Sequence, residues 1–132
     1  MRLTLLALTL TALTALSACQ KDESLHAFVP EGSLWHLTEL GGKTFTARAI
    51  LTFPKPDSIL GQGPCNTYGA TQNAPYPWFE IGPIQATKLA CDTLEAEQAY
   101  FTALSAATFA EVSGDTLILS DETGALLTFK IR

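Results

Sequence analysis

The chain has 132 residues, 47% of them apolar, with 8 basic and 13 acidic side chains and a formal net charge of −5. That length holds one ordinary domain and excludes two independent cores and most large nucleotide-binding folds. The apolar fraction excludes a disordered chain, and an acidic balance without a basic stripe excludes a sequence-independent grip on phosphate backbone, so no nucleic-acid partner is expected.

The first element is an address. Arg2 precedes an apolar run from Leu3 to Leu16. As a helix that run spans about 21 Å, short of a bilayer core of roughly 30 Å. It fits the central region of a secretory signal better than a membrane span. Leu16-Ser17-Ala18-Cys19 then matches the bacterial lipobox: an aliphatic residue, two small ones, and the cysteine that becomes the new first residue. The thiol accepts a diacylglyceryl group, and small neighbours let the peptidase reach the bond before it. Residues 1–18 are therefore expected to be a cleaved signal peptide and Cys19 the lipidation site, carrying palmitate-class chains. Each buried methylene is worth about 0.8 kcal/mol, so two or three acyl chains hold a protein on a membrane almost permanently. Residues 19–31 are expected to form the lipidated N-terminus and a polar tether, with the folded domain over 32–132. Asp directly after a lipidated cysteine is the usual signal for inner-membrane retention in Gram-negative cells. Gln20 stands there instead, so the expected location is the outer membrane facing the periplasm.

Cys65 and Cys91 remain once the lipid consumes Cys19. In an oxidising compartment the expectation is a disulfide across their 26-residue separation, against free thiols or a metal or redox role. Zinc needs four ligands, and His26 and His36 do not stand at ligand spacing from a cysteine. There is no C-x-x-C for thiol exchange. No metal and no cofactor are expected.

Further along, Ser33–Leu40 reads as a first strand, and the Gly41-Gly42-Lys43 turn makes the β-rich run Ala47–Phe53 its hairpin partner. Pro54-Lys55-Pro56-Asp57 is expected to end that strand abruptly, and Ser58–Gln62 to form another. Residues 61–69 read as an irregular, glycine-rich crossover, since no Gly-Lys-Ser/Thr supports a phosphate loop. Residues 74–84 hold too many prolines for a central strand and suit an edge strand or loop, in which Tyr76 and Trp78 are a possible recognition patch. One helix is predicted over Asp92–Ala107, with Asp92 and Glu95 as a capping box, Leu94, Phe101 and Leu104 facing the core, and Glu95, Glu97 and Gln98 facing solvent. Thr108–Val112, Thr116–Ser120 and Ala125–Ile131, joined by tight turns, form a three-strand meander. The order predicts a mainly β (α+β) protein: a small antiparallel, barrel-like sheet with one α-helix.

These residues together resemble the META domain of the HslJ-type heat-shock lipoproteins. The likeness rests on Trp35; on Cys65, Asn66, Tyr68 and Gly69; on Thr87 and Cys91; on Glu95 and Glu97; and on the hairpin with Gly114, Asp115, Leu117 and Leu119. It covers about residues 32–132, with Pro64 and Leu89 standing where Gly and Met are common. The resemblance implies structural roles for Trp35, Asn66, Gly69 and Thr87, an envelope location and an association with stress. It implies no agreed activity.

No Gly-x-Ser-x-Gly or His-Glu-x-x-His is present. A His36–Cys65 pair would need a reduced thiol, and Glu80, Asp92 and Glu111 are scattered carboxylates. The expectation is therefore a non-catalytic envelope lipoprotein, membrane-bound through its lipid, that binds another envelope component under stress. The rivals are a mini-barrel taking a small apolar ligand and an inhibitor of a wall-degrading enzyme.

Overall fold

β-branched and aromatic residues alternating with polar ones dictate strands through most of the chain, and the computed structural model describes residues 19–132 accordingly. The signal segment expected over 1–18 lies outside the described residues. After a 3-10 turn at Leu25–Phe28 come β1 (Trp35–Leu40), β2 (Lys43–Thr44), β3 (Ile50–Lys55), β4 (Ser58–Gln62), β5 (Thr67–Thr71) and β6 (Gln85–Ala86). The helix α1 (Leu94–Ala106) then precedes β7 (Phe109–Ser113), β8 (Thr116–Asp121) and β9 (Gly124–Ile131). All nine strands form one antiparallel sheet in the order β6-β5-β4-β3-β1-β9-β8-β7, with β2 appended to β1. The first and last long strands are neighbours, pairing from Trp35↔Ile131 to Leu40↔Leu127.

Strand pairing does not close the sheet. The segment after β5 instead runs between its two ends: Gln72 bridges Ile81 beside β5, and Trp78 bridges Phe109 of β7. Phe79 also donates its backbone N–H to the carbonyl of Thr108 at 2.9 Å. The buried Gln72 side chain holds the loop's shape, its carbonyl accepting from Ala74 at 3.1 Å and Glu80 at 3.2 Å. Two exposed edges are covered in this way by one irregular segment, which is a barrel-like solution to the edge-strand problem.

Inward-facing residues of this curved sheet fill its interior. Trp35 and Leu37, Leu51 and Phe53, Ile59, Leu117 and Leu119, and Leu127 and Phe129 pack with Tyr100 and Leu104 of α1. Phe79 from the closing segment and Leu25 from the N-terminal turn join the same cluster. The folded body thus starts upstream of residue 32: part of the expected tether is core.

Several local expectations are corrected. The Gly41-Gly42 turn, with both residues at positive φ, joins β1 to the two-residue β2, and β3 meets β1 only at Trp35↔Leu51 and His36↔Ile50. Pro54 lies within β3 because the pairing with β4 is irregular between Thr52 and Lys55, where no ladder N–H is required of it. The segment expected to be irregular over 61–69 instead ends in a full strand from Thr67, which runs on to Thr71 and is registered against β4. The helix starts at Leu94, its N-cap is Thr93 without a side-chain cap bond, and Asp92 does not cap it. The buried face is the expected one only in part: Leu104 is buried and Phe101 packs against the core, but Glu97 and Tyr100 also point inward while Leu94 is exposed.

Within the core the Tyr100 hydroxyl bonds that of Tyr68, which donates to the Ile50 carbonyl at 3.0 Å. Burial pushes both phenols well above the ordinary tyrosine range, with the neighbouring Tyr68 adding to the shift of Tyr100. Up to about pH 10 folded and unfolded chains both keep them neutral. At higher pH only the unfolded chain sheds these protons, so stability falls by up to about 1.4 kcal/mol per pH unit for each phenol until the folded pKa is reached. Urea midpoints should accordingly drop between pH 9 and pH 11, and Tyr100→Phe should reduce that drop by roughly half. A midpoint unchanged over this interval would contradict the assignment.

Candidate functional site

Two places gather the residues that the sequence singles out. One is the junction between β4 and β5. Gly63 donates its N–H to the Asn66 carbonyl at 2.7 Å, tightening the chain into a loop around Pro64 and Cys65. A disulfide joins Cys65 to Cys91, with their Cα atoms 6.1 Å apart, so the loop is tied to the chain just before α1. Thr93 reinforces the tie, its hydroxyl donating to the Pro64 carbonyl at 3.1 Å.

Glu97, one turn into the helix and only 3% exposed, reaches into this loop. Its Oε2 accepts the backbone N–H groups of Cys65 at 2.8 Å and Asn66 at 2.6 Å, and its Oε1 accepts the Asn66 side-chain amide at 2.6 Å. The Asn66 side-chain oxygen in turn accepts from the Thr87 hydroxyl at 2.9 Å and the Leu89 N–H at 2.7 Å. Gly63 makes room, since a Cβ there would lie 2.7 Å from Glu97 Oε2. The carboxylate and the amide spend their polar atoms on the chain itself, which is structural work. Glu97 had been expected to face solvent. The available signal was its place three and seven residues before Tyr100 and Leu104 on one helical stripe.

The other place is the surface around the segment closing the sheet. Tyr76 stacks on Phe28 with ring centroids 4.2 Å apart, and its hydroxyl accepts the Val112 N–H at 3.3 Å. Trp78 is 58% exposed and meets Phe109 of β7 edge to face at 5.5 Å. Sequence reasoning named Tyr76 and Trp78 but missed Phe28 and Phe109, whose proximity depends on long-range pairing.

The remaining candidates do not converge. Trp35 is fully buried, with no hydrogen-bond partner for its indole N–H. Gly69 faces Leu60, whose Cδ2 would be 2.9 Å from an added Cβ. Cys65 shares its sulfur with Cys91, and His36 lies on β1, its pKa lowered first by desolvation and then by Arg132 and Arg48. Glu80, Asp92 and Glu111 are exposed on a loop, before the helix and on β7. Among the described residues no group of three or more His, Cys, Asp or Glu is placed to hold a metal ion.

The META domain family model matches residues 28–132, a span holding the disulfide, the Glu97–Asn66 contacts and the whole sheet. The chain belongs to the META domain family. This META domain is similar in fold to an NMR structure of a protein from Burkholderia xenovorans, at 21% identity over 81% of this chain and 86% of that chain, with a TM-score of 0.61. A second NMR structure shares 17% identity over 75% of this chain and 88% of that chain, with a TM-score of 0.60. No curated protein matches the chain.

Proposed function

We propose that this META-domain protein is a non-catalytic lipoprotein of the bacterial envelope. In this reading it is anchored through Cys19 to the periplasmic face of the outer membrane and binds another envelope component under stress. The observation that carries the reading is the lipobox Leu16-Ser17-Ala18-Cys19, with Cys19 exposed a few residues before the folded body. Membership of the META domain family supports an envelope-associated small protein. How the chemistry-bearing residues are used supports a binding rather than a catalytic role: two cysteines are joined, and Glu97 and Asn66 hold a loop. The interior supports a surface-borne function, because Trp35, Tyr100, Phe79 and Phe129 fill it. Two depressions among the described residues, each of about 500 Å³, one lined by Glu31 and Phe53 and one by Leu60 and Tyr68, open at the surface. The aromatic surface around Trp78 is the contact face of this proposal.

Cys19→Ala should move the protein from the membrane to the soluble fraction of intact cells, and the N-terminal peptide of the wild type should carry the added mass of acyl chains. Unchanged fractionation of the variant would refute the anchor. Crosslinking in intact cells, read by mass spectrometry, should recover an envelope component, lipid or protein, at the Tyr76–Trp78 face.

A further inference from the structure

Exposed aromatic side chains are concentrated in one place on this molecule. Among the described residues, the large exposed ones are Phe28 (45%), Trp78 (58%) and Phe109 (37%): Phe28 stacks on Tyr76, and Trp78, two residues further along the same segment, meets Phe109. The surface is continuous with β7, because Ala110 donates its N–H to the Pro77 carbonyl at 2.8 Å.

The same surface is where the N-terminal chain is fastened. Tyr76 donates its N–H to the Glu23 carbonyl at 2.8 Å, Ser24 bridges Pro75, and the Asp22 carboxylate accepts the Ser24 N–H at 2.9 Å. Only the steps from Cys19 to Asp22 remain as leash, and three extended residues span about 11 Å at most. A body of this size has a radius of gyration of about 13 Å. A leash shorter than the body's own radius, fastened at Glu23 and Ser24, holds the fastened face toward whatever carries Cys19.

We infer that the Phe28–Tyr76–Trp78–Phe109 face docks on the lipid–water interface of the membrane that holds the Cys19 anchor. The inference rests on the lipid-anchor reading above and names the envelope component as the bilayer itself. Trp and Tyr suit that zone because their ring bodies are apolar while a polar edge stays wet. The exposed indole of Trp78 has this character, while the Tyr76 hydroxyl stays bonded to β7. Charge does not drive the docking: Glu23, Glu80 and Glu111 are exposed around the face, and the chain is acidic overall. Without its acyl chains the protein should therefore stay off vesicles, and with them the aromatic face should enter.

The two tryptophans provide the test, since Trp35 is fully buried and serves as an internal control for Trp78. The lipidated protein, purified from membranes, is reconstituted in phosphatidylcholine vesicles with or without bromine near the top of the acyl chains. Trp emission should be about 1.5-fold lower in the brominated vesicles, and Trp78→Phe should remove that difference. Protein that carries acyl mass and floats with vesicles, yet shows equal emission in both, would overturn the docking and leave the anchor standing. Capture of that face by a protein crosslink at Trp78 would also overturn it. An N-terminal peptide without acyl mass would overturn the anchor and the docking together.

Discussion

Glu97→Ala is expected to lower the unfolding free energy by about 4 kcal/mol, because two backbone donors lose their acceptor and the Asn66 amide loses the shorter of its two bonds, keeping only the Leu89 carbonyl at 3.4 Å. The Cys65 N–H, the Asn66 N–H and the Asn66 amide all point at one carboxylate, which is the acceptor of both backbone groups. Each buried donor left unsatisfied costs about 1–3 kcal/mol, and bonds to a charged acceptor are the stronger kind. Glu97→Gln separates acceptor capacity from size. Its single carbonyl oxygen can replace Oε2 toward the two N–H groups, but its NH2 then faces the Asn66 amide, donor against donor. Asn66 cannot turn over to relieve this, since its oxygen already accepts from Thr87 and Leu89. An intermediate loss of about 2 kcal/mol follows for the glutamine variant. Urea unfolding at constant pH measures both. Equal midpoints for wild type and Glu97→Ala would show that the contacts carry no net stability.

How much of this could be read from residues alone depends on the range over which each feature is encoded. β4 runs over Ser58–Gln62 as expected, and the meander over 109–131 departs from expectation by a residue or so at each end, because alternation and Gly-centred turns act between neighbours in sequence. The existence of α1 was legible for the same reason, but the face it buries only in part. Its orientation is decided by what lies across the gap, and a loop offering three inward N–H groups selects the acid Glu97 over the apolar Leu94. β5 escaped notice because Gly69 and the neighbouring Gly-Pro-Cys run read as irregular. Its strand conformation is imposed by pairing with β4, a tertiary term that outweighs weak local propensity. The fold-back of Ile81 and Gly82 onto Gln72 and Thr71 and the bridge from Trp78 to Phe109 join residues that share no local pattern, so neither the closing role of that segment nor the pairing of Phe28 with Tyr76 and of Phe109 with Trp78 had a signature to read.

Removing the Cys65–Cys91 disulfide is expected to have the next largest effect. The 26-residue separation closes a loop containing β5, the sheet-closing segment and β6. Chain-entropy arithmetic for that length assigns about 3.5 kcal/mol to the cross-link. A Cys65→Ala/Cys91→Ala variant should unfold at a correspondingly lower urea concentration, and reductant should shift the wild type by a similar amount while leaving the variant unmoved. The bond and the carboxylate also act on the same loop, since the backbone of Cys65 donates to Glu97 while its sulfur bonds Cys91. Once either is gone the loop is freer, and the other has less ordered structure to hold. The two losses should therefore fall short of adding, by about 1 kcal/mol in a double-mutant cycle. Strict additivity would mean that the helix N-terminus keeps the Gly63–Asn66 loop in place without the sulfur bridge. In that case the bridge would act on the unfolded chain alone, and Glu97 would be the group that fixes the junction between β4, β5 and α1.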